Sequence, residues 1–179
     1  MTTPLKKLAA RSLTHALSAA LLAGFLAPNT ARAGGCMTAD EAMAEEVRRL
    51  QTTLMVGALQ CRSQPALRTA EIYNRFVQRH GAAIAAQNRI FTRYFQRTYG
   101  ANHQSAMDSH ITVLANTASR LGHMDGNFCA RVTALGEATL TANGGLAETA
   151  HKNTLVAGTL KSCLPARAQT VDNRSSTAQ

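Results

Sequence analysis

The sequence predicts an all-α protein, a disulfide-stabilised bundle of four to five helices with no sheet. Three observations carry this prediction. Apolar residues recur at helical spacing through most of the chain after residue 33. Ala, Leu, Gln and Arg dominate there, and only Pro65 and Pro165 follow Pro28. Finally, Cys36, Cys61, Cys129 and Cys163 form an even set, read as two crosslinks in an exported chain.

Export is expected from residues 1–33. Lys6, Lys7 and Arg11 make a basic start, Ala16 to Ala27 is apolar, Pro28 interrupts, and Ala31-Arg32-Ala33 offers a small-residue cleavage site. The apolar run is shorter than the roughly 20 residues a membrane span needs. The expected location is periplasmic, with the bundle in residues 34–164 and a disordered polar tail in residues 165–179. A competing reading anchors the chain by lipid at Cys36. That cysteine lies 36 − 27 = 9 residues beyond the apolar run, which favours the cleaved form.

Cleavage changes the charge. The whole chain carries 19 Lys and Arg against 10 Asp and Glu. Loss of Lys6, Lys7, Arg11 and Arg32 leaves 15 − 10 = +5 on 179 − 33 = 146 residues, enough for one domain. In an exported chain this basic balance points to an acidic protein or a membrane surface, and away from nucleic acid.

The first helix opens with a capping box, Thr38 at the N-cap and Glu41 three residues on. Asp40, Glu41, Glu45 and Glu46 suit the positive end of the helix dipole. Met43, Val47, Leu50, Leu54, Gly57 and Cys61 form one seam, on which Gly57 admits a close neighbour. Pro65 ends the element. A second helical region covers about residues 66–99, with Ile72, Tyr73, Phe76, Val77, Ile84, Phe91, Tyr94 and Phe95 on its apolar face and a kink or break at His80-Gly81. Asn102 caps a third helix over about 103–121, with Ile111, Leu114, Ala115 and Ala118 inward. A fourth covers Phe128 to Thr141, and Asn143-Gly144-Gly145 turns into a fifth over Leu146 to Lys161.

A continuous first helix holds Cys36 and Cys61 roughly 36 Å apart. A disulfide needs Cα atoms within about 7 Å, so that pairing is excluded. Two schemes remain: Cys36–Cys163 with Cys61–Cys129, or Cys36–Cys129 with Cys61–Cys163. The first is favoured because it ties the ends of the domain together. Against both stands the helix-four/helix-five hairpin, which would bring Cys129 and Cys163 to one end.

Two side-chain groupings are candidates for function. Arg75, Arg79, Arg89, Arg93 and Arg97, with Tyr94 among them, suggest a docking face for an envelope protein with an acidic surface. Between Arg62 and Arg97 there are seven arginines and one acid, Glu71. His103, Met107 and His110 recur at i, i+4 and i+7 and suit a soft metal such as copper. No G-x-S-x-G, H-E-x-x-H or phosphate-loop motif occurs, and acids such as Glu71 and Asp108 are scattered. The leading expectation is therefore an exported, non-catalytic interaction protein without a cofactor, such as an accessory subunit or scaffold. A periplasmic copper-type binder is the alternative.

Overall fold

Thr38 starts the first helix by the expected chemistry. Its hydroxyl accepts from the Glu41 amide at 3.3 Å, and its own amide donates to Glu41 Oε2 at 2.8 Å. The computed structural model describes residues 35–142 and 145–163. The expected signal segment, the polar tail and the Asn143-Gly144 part of the turn lie outside the described residues. Five α-helices follow in order: α1 (Ala39–Gln60), α2 (Thr69–Tyr99), α3 (His103–Met124), α4 (Phe128–Thr141) and α5 (Leu146–Asn153). The fold is all-α; among the described residues the sole β-type pairing is an isolated backbone bridge between Met37 and Ser162.

α1 is the central element and packs against all four other helices. The expected seam is present in part: Val47, Leu50, Leu54, Gly57 and Cys61 are buried, whereas Met43 is 41 % exposed. Ala44 takes the inward place instead. Burial also extends well beyond the seam, to Glu45, Arg49, Thr52, Thr53 and Val56, because neighbours surround this helix. Gly57 meets α4 directly: a Cβ there would run into the Val132 side chain. The buried set around it comprises Val47, Leu50, Leu54, Phe76, Phe128 and Val132, among others.

α2 runs unbroken for 31 residues, about 46 Å, without the expected break at His80-Gly81. One helical Gly costs only about 1 kcal/mol. Phe76 and Ile84 are buried on either side of it, and His80 Nε2 reaches the Thr139 carbonyl at 3.0 Å, so packing spans the weak point. Val77, expected on the apolar face, is exposed instead.

The last helix is shorter than expected. α5 stops at Asn153, whose side-chain amide donates to the Thr149 carbonyl at 2.9 Å. Residues 154–163 then run back along the bundle as a strap. Val156 is buried with Val56, Leu114 and Ala118. The strap ends against the start of α1, where the Met37 amide donates to the Lys161 carbonyl and the Cys163 amide to the Met37 carbonyl, both at 2.8 Å. Disulfides join Cys36 to Cys163 (Cα–Cα 5.0 Å) and Cys61 to Cys129 (Cα–Cα 5.6 Å). The strap is what separates Cys163 from Cys129: a helical hairpin out to residue 161 would have brought them to one end, and the extended return does not.

Candidate interaction surface on the second helix

Arg75, Arg79, Arg89, Arg93 and Arg97 are all exposed, and at 3.6 residues per turn they fall within an arc of about 80°. They form a row about 33 Å long on the outer side of α2. The opposite side is fixed by Ile72, Phe76, Ile84, Phe91, Tyr94 and Phe95, all buried. The same helical period that sends the aromatics inward thus sends the arginines outward.

The row is not uniform. Arg97 is engaged at home: Nη2 lies 2.7 Å from Glu41 Oε2, also donates to the Cys36 carbonyl at 3.2 Å, and the guanidinium stands 5.6 Å from the Tyr94 ring centre. Burial opposes ionisation of Glu41, but the Thr38 amide and Arg97 outweigh it and hold this carboxyl below its ordinary range. Arg75, Arg79, Arg89 and Arg93 form no ion pair within 4.0 Å among the described residues. Tyr94, expected on this face, is 1 % exposed and belongs to the core; burial pushes its phenol pKa up. Its ring lies beneath the Arg97 guanidinium and is shielded from solvent, which corrects its assignment as a contact residue. Arg93 and Arg97 also line a shallow groove of about 630 Å³ with Thr38, Asp40, Glu41, Ile90 and Gln96.

The three side chains of the expected metal stripe are held by three separate partners. His103 Nδ1 lies 2.9 Å from the Gly100 carbonyl. The Met107 sulfur accepts from the Thr92 hydroxyl at 3.8 Å. His110 is buried beside the Phe91 and Phe95 rings, with Nε2 3.5 Å from Glu45 Oε1. Among the described residues no three His, Cys, Asp or Glu side chains are grouped to hold a metal ion. Nor do Glu71 and Asp108 make a carboxylate pair: Glu71 is taken by Arg68.

Sequence reasoning missed a polar node at the middle of α1. Glu45 Oε2 pairs with Arg49 Nε at 2.7 Å, and Arg49 Nη1 donates to the Val156 carbonyl at 3.0 Å. Glu46 approaches Arg49 Nη2 at 3.6 Å and meets His151 Nδ1 at 3.0 Å. Gly158 of the strap lies over the pair; a Cβ there would sit 3.1 Å from Arg49 Nη1. The i, i+4 spacing of Glu45 and Arg49 was visible in the sequence, but on an exposed helix face it would signify little.

Fold and surface together define a disulfide-linked all-α bundle with an outward arginine row. No helix among the described residues is long and apolar enough to cross a membrane. Comparison with known protein families, curated proteins and solved structures finds no match.

Proposed function

We propose that this chain is an exported, non-catalytic helical protein that works by docking an acidic protein partner on the outer side of α2. One observation carries the reading. Three of the four acids on α1 are matched inside the molecule: Glu41 by Arg97, Glu45 by Arg49, and Glu46 by Arg49 and His151. Four arginines on α2, in contrast, face outward with no counter-charge within ion-pair distance among the described residues. Unneutralised charge of one sign along one helix raises encounter rates with an opposite surface and fixes which partners are accepted. An accessory subunit or scaffold of a cell-envelope complex has this need.

The test is affinity capture from the periplasm with the mature protein as bait. Reversal of Arg75, Arg79, Arg89 and Arg93 to Glu should abolish recovery of the acidic partner while circular dichroism stays unchanged. Equal recovery by both forms would reject the reading.

A further inference from the structure

The four free arginines are not merely on one side of α2. Arg75, Arg79, Ala82, Ala86, Arg89, Arg93 and Gln96 follow one another at spacings of 4, 3, 4, 3, 4 and 3. That is heptad spacing, which keeps the seven on one stripe along which a second helix can lie; only Ala82 and Ala86 of them are apolar, so charge must carry most of the contact. It lies on the outer side of α2, where α1, α3 and α4 do not cover it: Arg75, Arg79, Ala82, Arg89, Arg93 and Gln96 are exposed and Ala86 is half-buried. The two arginine pairs are related by 89 − 75 = 14 and 93 − 79 = 14 residues, two whole heptads. A helix crossing at the shallow angle of coiled-coil packing, about 20°, meets both pairs with one face.

From this we infer that the partner presents an acidic α-helix along residues 75–96, with carboxylates at both ends of the contact and small or apolar residues between them. The inference rests on the docking reading above and narrows its partner. The seam's chemistry supports a helix in particular. Ala82 and Ala86 leave room for a backbone at the centre, and each arginine pair, four residues apart, matches carboxylates at i and i+4 on a facing helix. A second copy of this chain is a poor occupant. Antiparallel pairing of seam on seam, with Ala82 facing Ala86, sets Arg75 against Arg93 of the second copy and Arg79 against its Arg89, like charge on like. A lipid surface is also a poor occupant, because the seam carries no Trp, Phe or Leu to insert among acyl chains.

The experiment is calorimetric titration of the full mature chain with three probes. The first is a helical peptide of about 25 residues, roughly 37 Å, with Glu pairs in the heptad positions complementary to the two arginine pairs. The second has the same composition with the Glu spacing scrambled but helicity retained. The third is a phosphatidylglycerol vesicle. The matched peptide should bind saturably and the scrambled one at least about tenfold more weakly. Ala82→Phe, at an exposed position, should weaken the matched peptide by about tenfold, whereas Val113→Phe on the exposed side of α3 should not. Equal binding of both peptides, with Ala82→Phe silent, would overturn the acidic-helix inference and leave the acidic-partner reading standing. Preference for the vesicle over both peptides would overturn both in favour of a membrane surface. Failure of either peptide to bind, together with unchanged capture by the charge-reversed protein, would also remove both.

Discussion

α1 and α2 carry comparable amounts of charge and use it in opposite ways. Apart from exposed Asp40, the acids and arginines of α1 are buried or half-buried, and they tie the helix to α2, to α5 and to the strap. The arginines of α2 that precede Arg97 stand in solvent and tie it to nothing within the described residues. The difference teaches that charge on a helix becomes structural only where other elements surround it. α1 is enclosed on nearly all sides. α2 has one side that no described element covers from Arg75 to Arg93, and its charge there faces solvent.

The largest expected effect breaks the α1 node. Arg49→Met leaves Glu45 buried beside His110 without its strongest partner and removes the donor to the Val156 carbonyl. A loss of about 3–5 kcal/mol is expected, measured by urea unfolding. Adding Glu45→Met should restore most of it, because two apolar groups leave no orphaned charge.

Two glycines sharpen the contrast. Gly57→Ala forces a methyl into Val132 and should cost about 1–3 kcal/mol. Gly81→Ala, at an open position of α2 with nothing within 4 Å of the added Cβ, should raise stability by about 0.4–1 kcal/mol. The same substitution thus takes opposite signs on the enclosed and the free helix; equal signs in thermal unfolding would undo the distinction.

Acid should weaken the tie that Glu41 of α1 makes to Arg97 of α2. The Glu41 carboxyl sits below its ordinary value of 4.5 in the folded chain. A depressed pKa contributes stability that is complete above the unfolded value and lost as pH falls through the folded one. Stability should therefore decline below about pH 4.5. Glu41→Gln should flatten part of that decline, read from unfolding midpoints across pH 3 to 6. An unchanged slope would remove Glu41 from the account.

Much of the fold was legible because its signals are local. Thr38 and Glu41 announce a helix start within four residues, and α4 begins and ends where its turn residues place it. What was not legible depends on neighbours that the sequence does not place. Gly81 reads as a break because propensity registers its cost and not the packing of Phe76, His80 and Ile84 across it. The stretch after Asn153 reads as helix because Leu155, Val156 and Leu160 look periodic. Their course is held by groups distant in sequence: Arg49 on the Val156 carbonyl, the Met37 backbone on Lys161 and Cys163, and the Cys36–Cys163 disulfide. Tyr94 reads in two ways, on the apolar face by its helical period and on the docking face by its arginine neighbours; its burial bears out the period. The arginine row itself was legible as composition. Its heptad register became meaningful only once its side of α2 was found uncovered.

The central claim is that the arginines of α1 and α2 serve different ends, and urea unfolding of single charge reversals tests it most directly. Arg75→Glu, Arg79→Glu, Arg89→Glu and Arg93→Glu should each shift stability by no more than about 0.5 kcal/mol, as solvated surface positions do. A loss at any of them approaching that of Arg49→Met would show that the α2 row is structural, and would contradict its assignment as a surface kept free for a partner.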